Sequence, residues 1–129
     1  MPAYRQKVAA ETLNDASQAG FIMDLVALAT GVPAGHLRSP TRNHARAARA
    51  RQIAMYLAYV GYAWPLKRVG QAFGRDRTTA GYACRLVEDL RDDRSFDAEL
   101  ERLEDCLRSA PRPSGIKLLG TNLREMTQQ

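Results

Sequence analysis

An all-α bundle is the fold class that this 129-residue sequence predicts. Three observations carry it. Apolar residues recur at helical spacing in five separate segments. Gly31, Pro33, Pro40, Pro65 and Gly74 punctuate the chain between those segments. No stretch alternates convincingly as a strand would. The apolar fraction of 45% is enough for one small core, and the length suits one domain with tails. There is no internal repeat.

The elements run in order. Residues 1–13 read as a flexible polar segment. Asn14 or Asp15 caps a helix to about Thr30, with Ala19, Ile22, Leu25, Val26 and Ala29 on one face. Gly31 stops it, and Pro33 opens a short turn anchored by Val32 and Leu37. Ser39-Pro40-Thr41 breaks the chain. A long helix starts at Thr41 or Asn43 and ends at about Tyr59 or Gly61. Its apolar stripe is Ala50, Ile53, Ala54, Leu57 and Ala58. Pro65 suits the first position of a short helix that turns Leu66, Val69, Ala72 and Phe73 inward. Gly74 ends it. The next helix begins near Asp76 and runs to about Leu90. Ala80, Ala83, Cys84, Val87 and Leu90 face its core, while Arg77, Thr78, Gly81 and Arg85 face elsewhere. The last helix spans about Asp97 to Leu107 on the stripe Leu100, Leu103, Leu107, and Pro111 and Pro113 come after it. The domain therefore occupies 14–108. Residues 109–129 form a tail whose Ile116, Leu118, Leu119 and Leu123 could dock elsewhere.

Charge is segregated along the chain. The net charge is +5, a weak sign of an anionic partner. Between His36 and Arg85 there are ten basic residues and one acid, Asp76, a net +9. Between Leu86 and Leu107 nine acids face three arginines, a net −6. One face is built to meet a polyanion and another is not. A merely solvated basic helix face is the alternative.

Other classes are weaker. Cys84 and Cys106 are too few for a disulfide scaffold, and Cys84 lies on an apolar stripe. The apolar run 21–29 is too short to span a bilayer, and Glu11 and Asp15 spoil a signal peptide. A cytoplasmic, nucleoid-associated protein without membrane contact is expected. His36 and His44 stand alone among arginines, so no metal or cofactor is expected. No nucleophile–base pairing points to an enzyme.

The most informative stretch is Phe73-Gly74-Arg75-Asp76-Arg77-Thr78-Thr79-Ala80-Gly81-Tyr82-Ala83-Cys84-Arg85. A Gly turn joins a short apolar helix to a helix that opens with short polar and cationic side chains. A helix-turn-helix presents its second helix to the DNA major groove in that way. Arg77 can take guanine O6 and N7 together, and Thr78 and Thr79 can touch a thymine methyl or a phosphate. Arg75 and Arg85 suit phosphates. Asp76 caps the helix or accepts from cytosine N4, and both can hold. Gly81 either lets the bare backbone clear DNA or marks a close helix crossing.

With these residues in view, the chain from about Ile22 to Leu107 resembles the C-terminal DNA-binding domain of the bacterial replication initiator DnaA. The segments that carry the resemblance are Ala29 to Leu37, Ala48 to Ala58, and Phe73 to Arg85. The last is similar to the family's Phe-Gly-Gly-Arg-Asp-His-Thr-Thr followed by an Ala-Cys-Arg-like stretch. The resemblance implies a Trp-repressor-like helical fold. It implies that Asp76, Arg77, Thr78 and Thr79 meet the major groove and that Arg51 enters the adjacent minor groove. It also implies backbone contacts at or beside Gln52, Leu66, Lys67 and Arg75, and Arg49 and Arg85 join that set as further cations. Arg77 replaces the family His, one Gly is missing before Arg75, and Tyr82, Gly81 and Ala50 also depart from the pattern. No G-x-x-x-x-G-K-[ST] loop occurs, so the resemblance implies a stand-alone domain without the initiator's ATPase.

Two functions are carried forward. One is a sequence-specific binder of double-stranded DNA, alone or as a homodimer, that regulates transcription, replication initiation or both. The other is an adaptor that keeps this fold and contacts a protein partner through the acidic last helix and the tail.

Overall fold

The structure is a computed structural model. It describes the backbone of residues 2–39 and 45–110, and the side chains of 14–39 and 45–110. Six helices succeed one another: α1 (Pro2–Thr30), α2 (Ala34–Arg38), α3 (Ala45–Gly61), α4 (Leu66–Phe73), α5 (Arg77–Leu90) and α6 (Arg94–Ser109). No strand occurs among the described residues. The predicted starts of the long helix at Thr41 or Asn43 lie outside them, as do Arg42, His44 and the tail from Pro111 onward.

The central helix is α3, and it touches all five others. Its sequence explains that position. Ala50, Ile53, Ala54, Met55, Tyr56, Leu57 and Ala58 are all buried, so the helix is apolar around most of its circumference. A helix of that kind belongs inside a bundle rather than on its surface. Small alanines at 47, 50, 54 and 58 let neighbours approach closely. Around it pack Ile22 and Val26 from α1, Leu37 from α2, Val69 from α4, Ala80, Ala83 and Val87 from α5, and Leu100, Leu103 and Leu107 from α6.

Three boundaries differ from the sequence expectation. α1 begins at Pro2 rather than at a cap near Asn14. Pro2 suits a first helical position, and the alanines, Gln6, Lys7 and Glu11 after it are good helix formers. α6 begins at Arg94, because Asp93 caps it by accepting the Phe96 amide at 2.9 Å. Pro65 is the cap residue of α4 rather than its first helical position. One inward assignment also fails: Ala29 is exposed.

The α3–α4 link is more than a break. Trp64 is fully buried there, with its amide on the Ala58 carbonyl at 3.4 Å and the Arg68 guanidinium 4.5 Å from its ring centroid. Ala63 takes φ +55° to make this turn, an uncommon conformation for a residue with a Cβ. Burying one large aromatic side chain outweighs that strain.

At the far end of α5, Arg91 gathers three elements. It donates to Asp97 at 2.5 Å, to Glu104 at 2.7 Å and to the Tyr56 hydroxyl at 3.1 Å. Tyr56 in turn donates to Glu88 at 2.6 Å. Burial pulls the Arg91 pKa down, but these acceptors outweigh it and hold the pKa above the ordinary arginine value.

Candidate nucleic-acid interface

α4 and α5 form a helix-turn-helix, and the turn between them is set by two glycines. Gly74 adopts φ +67°, ψ +32°, and its amide closes α4 onto the carbonyls of Gln71 and Gly70. The Arg75 amide also returns to the Gly70 carbonyl, at 2.8 Å. Gly70 is the second glycine. A Cβ there would sit 2.7 Å from the Arg75 carbonyl oxygen and 3.1 Å from the Asp76 backbone. The chain leaving the turn rests directly on Gly70. Sequence reading misses this residue, because its requirement arises from an approach made after the turn closes.

Asp76 is the cap of α5 and accepts the Thr79 amide at 2.6 Å. Its carboxyl lies below the usual carboxylate range, chiefly through the Thr79 backbone hydrogen bond. The cap leaves the first turn of α5 open to solvent. Asp76, Arg77, Thr78 and Thr79 are all exposed. Thr78, Tyr82 and Arg85 stand at i, i+4 and i+7 on one exposed ridge. Tyr82 is not among the site residues that the sequence points to, although it is 57% exposed. Its spacing from Thr78 is the signal that could have found it.

Gly81 is buried, contrary to the outward position expected for it. A Cβ on Gly81 would lie 3.4 Å from Leu66 Cδ1. Gly81 therefore marks a close crossing of α4 over α5. The crossing puts the first turn of α4 beside the second turn of α5. Leu66 is half-buried there and Lys67 is exposed. The α4 cap residue, Pro65, offers no side chain to the amides of that first turn.

α3 supplies the other wall. Arg51, Gln52 and Met55 from α3 face Arg75, Thr79, Tyr82 and Ala83 across a cleft of about 290 Å³. Arg51 is only 7% exposed. Its Nε donates to the Leu37 carbonyl at 3.1 Å and its Nη2 to the His36 carbonyl at 3.4 Å. Burial, then the positive charge of Arg75, lower its pKa below the ordinary value. Arg75 donates to the Ser39 carbonyl at 3.1 Å.

The structure thus brings Arg51, Gln52, Arg75 and Thr79 into one cleft, with Asp76, Arg77 and Thr78 at the tip of α5 and Leu66 and Lys67 at its side. Arg85 extends the ridge. Arg49 is not brought there. It lines two shallow apolar grooves on another side of α3, one with Val32, Ala50 and Ile53, the other with Leu90 and Phe96. Among the described residues no group of three or more His, Cys, Asp or Glu could hold a metal ion. None of the described helices is long and apolar enough to cross a membrane.

An exposed, capped second helix, a glycine-set turn and a flanking basic cleft define the helix-turn-helix class of DNA-binding domains. The family model described as the bacterial dnaA protein helix-turn-helix matches residues 20–87, and the chain belongs to that family. Over 65 residues it is 43% identical to a chromosomal replication initiator protein DnaA from Symbiobacterium thermophilum, a match that takes in 48% of this chain. The match covers 14% of that relative's length.

Proposed function

We propose that this chain binds double-stranded DNA sequence-specifically and regulates transcription, replication initiation or both. It acts in the cytoplasm, on the nucleoid. The observation that carries this reading is the tip of α5. Four short or cationic polar side chains stand exposed at a helix start, and the acid among them is spent on the cap.

Each residue then has a role. Arg77 reads guanine bidentately, which discriminates by about 1–3 kcal/mol. Thr78 and Thr79 contact a thymine methyl or a phosphate, and Asp76 can accept from cytosine N4 without leaving its cap. Arg75, Gln52, Lys67 and Arg85 hold the sugar–phosphate backbone and fix the register, with the Leu66 amide beside them. Arg51 serves the minor groove once its side chain leaves α2. Arg49, exposed on its own side of α3, is a further backbone contact outside the cleft.

Binding-site selection from a random duplex pool, followed by gel shifts at low salt, tests the reading. The wild-type chain should return a defined site bound in the nanomolar range. Arg77→Ala with Thr78→Ala should lose the site preference by roughly 10- to 100-fold and keep weak, salt-sensitive binding. Arg77→His should move the preference toward the initiator's own box. Absence of any duplex retention at low salt sinks the proposal and favours the adaptor. The adaptor's protein contacts through α6 and the tail would ignore both substitutions.

A further inference from the structure

Among the described residues, the cleft between α3 and α5 is lined by two arginines and no carboxylate. Both guanidiniums are held instead by main-chain carbonyls of one short piece of chain. Arg51 spans the His36 and Leu37 carbonyls at the end of α2, and Arg75 reaches the Ser39 carbonyl just beyond it. Arg75 also donates to its neighbour Gly74 at 3.3 Å.

Neutral carbonyls orient a guanidinium but do not cancel its charge. Two like charges facing one cleft repel, and more strongly where water is scarce. Arg51 meets both conditions, being buried and beside Arg75. A phosphate offers a guanidinium an opposite charge and a bidentate fit, which a main-chain carbonyl does not. A polyanion arriving at α5 therefore competes with the α2 carbonyls for both side chains. Arg51 is only 7% exposed while its Nε stays on Leu37.

We propose that the end of α2 is a latch. In the DNA-free protein the carbonyls of His36, Leu37 and Ser39 hold Arg51 and Arg75, and duplex binding transfers both guanidiniums to the nucleic acid. This rests on the DNA-binding reading above. α2 is only five residues long, Leu37 pins it to the core and Arg38 ties it to Gly20 and Asp24 of α1, and these hydrogen bonds add to what fixes its end. Their transfer loosens 36–39 as α5 engages.

Arginine-side-chain NMR of the full ¹⁵N-labelled chain reads this directly. In the free protein the Arg51 Nε–H should exchange slowly with water, unlike those of the exposed Arg77 and Arg85. Addition of the duplex returned by selection should shift that signal to a new position, with amide shifts and faster amide exchange across 36–39. Retention of the duplex in a gel shift while the Arg51 signal stays unchanged overturns the latch and leaves the DNA reading standing. No retention of any duplex at low salt overturns the DNA reading, and the latch falls with it. Arg51→Lys keeps the charge but cannot span two carbonyls with one fork. Its free form should show amide exchange at 36–39 raised toward that of the DNA-bound wild type. Exchange equal to the free wild type overturns the latch.

Discussion

At Asp76 one carboxylate satisfies the Thr79 amide and stands at the exposed tip of α5. Its folded pKa is depressed, so the stability it contributes is present above the unfolded carboxylate value of about 3.9. That contribution disappears as pH falls through the lower folded value. Asp76→Ala should lower the thermal midpoint at pH 7 and match the wild type in acid, below the folded pKa. Asp76→Asn, also a good cap, should stay near the wild type throughout. Thermal melts across that pH range check both. Gly70 gives a second residue-scale outcome. Gly70→Ala forces the Arg75 carbonyl away and should cost about 1–3 kcal/mol in urea denaturation, as overpacking does. The Asp76 cap was legible because a short acid before a helical pattern has a local reason to be there. Gly70 was not, because its constraint spans the turn. Arg51 was singled out only through the resemblance carried by Ala48 to Ala58. Its burial depends on carbonyls fourteen and fifteen residues away.

Among the elements, α4 and α5 are locked by the Gly81 crossing. Gly81→Ala adds a methyl that meets only the flexible end of Leu66, and alanine favours the helix by about 1 kcal/mol. The two effects should nearly cancel or leave the protein slightly more stable, with duplex affinity within about twofold of the wild type. A loss of affinity without a loss of stability would restore the view that Gly81 clears DNA. At the other end of α5, Arg91 couples α6 to α3. Arg91→Met leaves Glu104 and Asp97 without their cation and should destabilise by about 2–3 kcal/mol, measured by urea denaturation. Tyr56→Phe should cost about 1 kcal/mol at neutral pH. Burial, then the Glu88 hydrogen bond, push the Tyr56 phenol up to about 12. The neutral phenol is the favoured form, so its contribution is whole below pH 10. It is lost as pH rises from there toward about 12, and Tyr56→Phe should abolish that alkaline slope. The helix order and most buried stripes were readable from the period of apolar residues. Trp64 was not, since a lone aromatic beside Pro65 carries no periodic signal. The α6 start moved because Asp93 supplies a cap inside what looked like a polar break.

For the whole molecule, the charge pattern makes binding depend on salt. With roughly four to six phosphates neutralised, log affinity should fall with log salt at a slope of about −3.5 to −5.5. Between 50 and 200 mM salt that is a loss of roughly 100- to 2000-fold, measurable by fluorescence anisotropy. Removing Arg85 should flatten the slope by about 1 and leave the selected site unchanged. A slope near zero would exclude a phosphate-anchored complex. The fold was legible as a whole because each helix carries its own period and punctuation. The cleft was less so, because it joins α3 to α5 across the core.

The α5 helix has one further consequence. It begins at the basic tip and ends beside the acidic α6, about 21 Å away at 1.5 Å per residue. Among the described residues the charge therefore runs from positive at the start of α5 to negative at its end. In the field of a duplex such a gradient should turn the start of α5 toward the polyanion before any contact is made.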